Sequence, residues 1–167
     1  MAEPAPTSGR DETPEERADR NLTELLGELR VALPGVQVLF AFLLIVPFND
    51  RFSDATAFQR DLYLGTLICT AFASALLIAP SMNHRLEFQH GDKEHLVKVS
   101  SRLTIAGLTL VALAMTGVVA LLTDFVFGTA TMVVCTAALG LTFGLLWYVL
   151  PLRRRRRLGG RREARSG

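Results

Sequence analysis

Charge is missing from most of this chain. Residues 31–49, 62–83, 103–123 and 125–152 contain no Asp, Glu, Lys, Arg or His, in runs of 19, 22, 21 and 28 residues. A soluble helical domain would place polar side chains on the outer face of each helix, every three or four positions. Here the outer faces are apolar too, which excludes that class. A hydrocarbon core about 30 Å thick needs roughly 20 apolar helical residues, and every run reaches or nearly reaches that length. Period-2 alternation is absent as well, and four strands are too few to close a barrel. The runs also lack the material for buried acid–base chemistry, so no Ser-His-Asp arrangement can be placed in them.

Other absences narrow the class further. Cysteine occurs twice, at Cys69 and Cys135, both inside apolar runs. A thiol there behaves as a small hydrophobe, and no zinc-type spacing is present. Lysine is confined to Lys93 and Lys98 among eighteen basic residues. That bias, with abundant Ala, Leu and Gly, points to a GC-rich genome. A secretory signal peptide is not expected, although Ala55-Thr56-Ala57 has the form of a cleavage site. The first apolar run starts thirty residues in, behind an acidic tail, whereas a signal peptide opens with a basic region. No catalytic residue, metal or cofactor is assigned.

The charge that is present sits at the ends and in the loops. The first thirty residues hold four Arg and eight acids, and the last fifteen hold eight Arg and one acid. Basic residues flanking spans stay on the cytoplasmic side. With both tails and the second loop inside, sixteen Lys and Arg are cytoplasmic and two, Arg51 and Arg60, are outside. The expected fold is therefore all-α: a four-helix transmembrane bundle in the cell membrane, both termini cytoplasmic, with spans at about 31–49, 62–80, 103–123 and 126–150.

Outside the spans, residues 1–20 read as a disordered acidic tail. Asn21 is the expected N-cap of an amphipathic helix, with Glu24 completing a capping box. Leu22, Leu25, Leu26, Leu29 and Leu33 stripe that helix, and it either lies in the interface or extends the first span. Pro34-Gly35 marks a kink, Pro47 ends the first span, and Ala79-Pro80 marks a kink or break in the second. His90-Gly91-Asp92 reads as a turn, making the second loop a cytoplasmic helical hairpin. A tight turn near residues 123–128 joins the last two spans. Residues 153–167 form a disordered polybasic tail.

The layout of spans and loops selects the candidate site residues. Gln37 is the one amide well inside the hydrocarbon, a turn from Pro34. It reads as an interhelical hydrogen bond or a polar waypoint in a permeation path. At the inner face, His84 and Arg85 could hold lipid phosphates or the acids Glu24 and Glu28; Lys93 and Arg102 are further contacts on the same side. Arg153, Arg154, Arg155, Arg156 and Arg157 read as a topology anchor against anionic lipids, with no nucleic-acid partner expected. Gly140 and Gly144 form a G-x-x-x-G pair for close helix packing, inside the bundle or at a dimer seam. The Thr and Ser residues of the spans are expected to bond their own helix carbonyls.

The segment ELRVALPGVQVLFAFLL (Glu28–Leu44), the Pro47-Phe48 pair, and Ala79-Pro80 followed by HRLEF and GDKEHLVKVSSRL resemble an actinobacterial family of small four-span membrane proteins of unknown function. The resemblance covers roughly residues 20 to 125. It implies a membrane location and brings no activity or site residues. Similar members are sometimes labelled sodium/proton antiporters. The spans argue against that label, because proton coupling places an ionisable side chain near the midplane, and antiporter folds are larger and repeated. The first functional expectation is a non-enzymatic membrane subunit that forms a homo-oligomer or binds a membrane partner. The second is a cation or proton transporter or channel subunit lined by Gln37. The third is a lipid-modifying enzyme using His84.

Overall fold

The computed structural model describes residues 13–87, 93–151 and 153. Helix α1 spans Pro14–Ile45, α2 Ala57–Glu87, α3 Lys93–Phe127 and α4 Thr129–Phe143, the last continued by a π-helical segment, Gly144–Val149. Four helical stretches, two of them running on into the flanking 3₁₀ and π segments, are long and apolar enough to cross a membrane: Asp19–Phe48, Ala57–Asn83, Leu96–Phe127 and Thr129–Val149. The protein is an all-α, four-helix bundle.

Helix α1 begins earlier than the Asn21 reading placed it. Thr13 is the N-cap, and its N–H donates to Glu16 Oε2 (2.9 Å) while Glu16 N–H donates to Thr13 Oγ1 (3.2 Å). Both Thr13-x-x-Glu16 and Asn21-x-x-Glu24 satisfy the capping pattern. The upstream one adds Pro14 at the first helical position, where the missing N–H costs nothing. Asn21 is consequently mid-helix, and residues 14–20 are helical rather than part of a tail; residues 1–12 lie outside the described residues. The Leu stripe is continuous with the first span, and α1 runs unbroken through Pro34. Pro80 likewise lies within α2, fully buried, without ending it.

Helices of 32, 31 and 35 residues measure about 45–53 Å at about 1.5 Å per residue, against a hydrocarbon thickness of about 30 Å. The apolar runs end close to the α1–α2 loop and the α3–α4 turn (the loop end). The surplus length therefore falls at the opposite, terminal end, where α1 starts, α2 finishes and α3 begins. Leu22, Leu96 and Ser100 are buried there, so α1 joins the helical hairpin extension. The tip of the hairpin, including His90-Gly91-Asp92, lies outside the described residues.

Helices α2 and α3 form the central antiparallel pair, and α1 packs on both. Among the described helices, α4 touches only α3. Two apolar clusters tie α1 to the pair: Leu29 and Val36 with Leu77, and Leu43 with Tyr63 and Leu121. Small residues let α2 and α3 approach closely. A Cβ at Gly107 would lie 2.8 Å from Leu77 Cδ2, and one at Gly117 would overlap Thr66 Oγ1. Along α2, Thr66, Thr70 and Ser74 turn their hydroxyls back onto the carbonyls of Leu62, Thr66 and Thr70 at 2.7–2.9 Å. Thr109, Thr116 and Thr142 do the same on α3 and α4. Each of these hydroxyls is satisfied on its own helix, and Thr109 Oγ1 also meets Tyr148 Oη. Thr104 and Thr136 depart from that pattern: their buried Oγ1 atoms find no hydrogen-bond partner among the described residues.

The α3–α4 connection is one residue, Gly128, at φ 87° and ψ 172°. Only glycine adopts that backbone region readily, so the reversal can be this short.

Candidate functional site

The loop end is a hydrogen-bonded clasp. Thr56 and Gln59 form a capping box at the start of α2: Thr56 N–H donates to Gln59 Oε1 (3.0 Å) and Gln59 N–H to Thr56 Oγ1 (3.2 Å). The same Gln59 side chain, 7% exposed, donates from Nε2 to Asp124 Oδ2 (2.9 Å) near the end of α3. Thr129 Oγ1 donates to Asp124 Oδ1 (3.0 Å). One carboxylate thereby joins α2, α3 and α4, and it sits beside the α4 N-terminus, where a negative charge is favourable. Removing it strands the buried Gln59 amide. Asp124→Ala is expected to cost about 1–3 kcal/mol and to lower the detergent-solubilised melting temperature. Thr129→Val, which leaves Gln59 paired, should cost less in the same thermal assay.

A second bond repairs a defect made by proline. Pro47 has no N–H, so the Leu43 carbonyl four residues back loses its helical donor. Tyr63 Oη, reaching across from α2, donates to Leu43 O at 3.0 Å. Phe52 packs edge-on against the Tyr63 ring, centroids 5.1 Å apart. Tyr63→Phe should destabilise the protein by about 1–3 kcal/mol. In a Pro47→Ala background the same change should cost measurably less, because the substituted alanine can supply the missing backbone donor. Equal costs in a double-mutant cycle would refute this account.

The sequence-selected residues are scattered over this frame. Glu28 and Arg85 are both exposed and are not paired with each other. The reason is register: Leu43 meets Tyr63 and Leu29 meets Leu77, which sets Arg85 opposite the region of Asn21, about two turns from Glu28. Glu24 is instead within 3.9 Å of Arg20 on its own helix. Arg102 is exposed on α3 and Arg153 is exposed after α4. The side chains of His84 and Lys93, and all of Arg154–Arg157, lie outside the described residues. Cys69 and Cys135 are unbonded, on helices α2 and α4 that do not touch.

Gln37 and Pro34 do not face the interior. Both are exposed on the outer side of α1, in company with Val31, Val38 and Phe42. Gln37 has no hydrogen-bond partner among the described residues, whereas the buried face of α1 is carried by Leu29, Val36 and Leu43. Gly140 and Gly144 are also unused among the described residues: a Cβ at either would meet no atom within 4 Å beyond its own turn of helix. Close packing uses Gly107 and Gly117 of α3 instead. No residue of α4 is buried; it is held by the Asp124 clasp and by a hydrogen bond between Tyr148 Oη and Thr109 Oγ1. The π turns at Gly144–Val149 carry an extra residue per turn, which rotates the residues beyond them by about 100° relative to an α-helix. Trp147 stacks edge-on with Phe143 in this segment, centroids 5.0 Å apart.

Sequence reasoning missed Gln59, Asp124, Tyr63, Gly107 and Gly117. The Thr56-x-x-Gln59 pattern was readable as a cap. The Asp124 and Leu43 partners were not, because they come from other helices.

No curated protein and no solved structure matches the chain. Residues 11–151 match a family of unknown function (DUF6328). That span takes in all four helices and both features of the loop end, so the chain is a multi-pass membrane protein belonging to this family of unknown function.

Proposed function

We propose that the protein is a non-enzymatic subunit of the cell membrane that self-associates through the outer face of α1. The observation that carries this is Gln37: an amide exposed on a helix meant for hydrocarbon, with no partner in its own chain among the described residues. In lipid an unpaired amide costs several kcal/mol, as an unsatisfied polar group does in an apolar solvent. A second copy removes that cost, since two-fold symmetry can bring Gln37 to Gln37 and let each amide donate and accept. The exposed Pro34 and Gly35 beside it offer little side-chain bulk, so backbones can approach. A cation path along Gln37, the transporter reading, would have to run between subunits rather than through one.

Gln37→Cys in a Cys69→Ala, Cys135→Ala background tests the interface. Oxidation in native membranes should yield a cross-linked dimer, while Phe72→Cys on the exposed side of α2 should not. Failure at Gln37, or equal cross-linking at both, sinks the reading. Both termini are assigned to the cytoplasm by the sixteen-to-two distribution of Lys and Arg, with the Arg tail against anionic lipid. A reporter fused to either end should be active only as a cytoplasmic fusion.

A further inference from the structure

An open crevice of about 330 Å³ lies at the loop end, between the last turn of α1, the α1–α2 loop and the last turns of α3. Its walls are apolar, formed mainly by Phe42, Ile45, Phe52, Leu121, Leu122 and Phe125. The volume is at the lower end of the roughly 300–1,000 Å³ typical of small-molecule sites. Ile45, Phe42 and Leu122 are more than half exposed, so the crevice opens sideways, toward where bilayer chains lie.

The site is built rather than accidental. Phe52 is fixed against Tyr63, which is itself bonded to Leu43. Gln59 contributes to the lining and is held by its cap and by Asp124. At the rim, Arg51 is part of the lining and exposed. Its backbone N–H donates to Asn49 Oδ1 (3.1 Å), but its guanidinium has no partner among the described residues. The other cation of this end, Arg60 on the first turn of α2, is engaged: Nη2 donates to the Ser53 carbonyl at 3.0 Å.

We infer that this crevice binds one glycerophospholipid with an ammonium headgroup, an acyl chain against the apolar wall and the phosphate on Arg51. Charge complementarity selects that occupant. A phosphate suits the planar fork of a free guanidinium, and the apolar wall has no use for a phosphate alone. Asp50 and Asp54 flank Arg51 on the same short 3₁₀ segment. Both are exposed and stand outside the crevice lining; Asp50 lines a neighbouring depression that shares Asn49 and Phe52 with it. Those carboxylates favour a headgroup that carries its own cation and oppose a wholly anionic one.

The full chain, purified in mild detergent, is dosed separately with phosphatidylethanolamine, phosphatidylglycerol and inorganic phosphate, and bound lipid is counted by native mass spectrometry. The retention that depends on Arg51, taken as wild type less Arg51→Ala, should favour phosphatidylethanolamine over phosphatidylglycerol, and added phosphate should not displace it. Arg51→Ala should weaken retention about tenfold, the scale of a lost charge-assisted hydrogen bond. Arg51→Lys, which keeps the charge but loses the planar fork, should recover part of it, and Arg17→Ala, exposed at the other end of the molecule, should change nothing. Circular dichroism confirms that each variant is helical before it is scored. Undiminished retention in Arg51→Ala, equal or tighter phosphatidylglycerol binding in the Arg51-dependent fraction, or displacement by phosphate would each overturn the inference.

Discussion

Gln37→Leu is expected to weaken self-association in liposomes roughly fivefold to thirtyfold, about 1–2 kcal/mol for interhelical polar contacts in a membrane. Dilution of fluorescently labelled protein in lipid, followed by energy transfer, measures it directly. The monomer should lose nothing, because Gln37 is exposed and has no hydrogen-bond partner among the described residues. Leucine at that position should even raise insertion efficiency. This opposition separates the interface reading from a structural one: a packing residue would lower melting temperature and association together. Association unchanged by Gln37→Leu would remove the main support for a subunit role.

Gly117→Ala should destabilise the bundle by about 1–3 kcal/mol, the usual cost of overpacking a close contact. The added Cβ would occupy the place of Thr66 Oγ1 and come within 3.3 Å of Thr66 Cβ and Cγ2. Thr66 cannot simply swing aside. It is β-branched, 4% exposed, and bonded to the Leu62 carbonyl at 2.7 Å, and rotating Oγ1 away only brings another branch into the gap. Thr66→Ala should therefore rescue Gly117→Ala, and the pair should couple strongly in a double-mutant cycle. Gly107→Ala should behave similarly against Leu77, which is fully buried. Gly140→Ala and Gly144→Ala, with open space around them, should leave the melting temperature of the monomer unchanged. Thermal unfolding in detergent orders all four variants, and a large loss at Gly140 would contradict the packing described.

That contrast shows why glycine motifs mislead. Gly140-x-x-x-Gly144 has the spacing of a helix contact, and spacing alone says that a backbone can be approached, never that one approaches. Gly107 and Gly117 lie ten residues apart on α3 and form no short motif; what singles them out is Leu77 and Thr66 on α2. The start of α1 differs from expectation for a related reason. Two capping patterns compete within a short stretch, and Pro14 tips the choice upstream. The sequence marks a kink at Pro34 and a kink or break at Pro80; α1 continues through the first and α2 through the second, so neither proline ends its helix.

Hydropathy and charge set the broad outcome before any folding: four spans, helical because lipid allows only helices or closed barrels and four strands cannot close one, joined by loops where the charges lie. Those properties depend on each residue's own transfer free energy, so they can be summed along the chain. Tertiary structure decided which face of each span meets protein and which meets lipid. In hydrocarbon, apolar residues give no contrast between those faces, so the choice falls to small-residue contacts and to a handful of polar atoms. Hence α2 and α3 close on Gly107 and Gly117, Tyr63 finds the carbonyl that Pro47 left empty, Asp124 gathers three helices, and Gln37 is left facing outward.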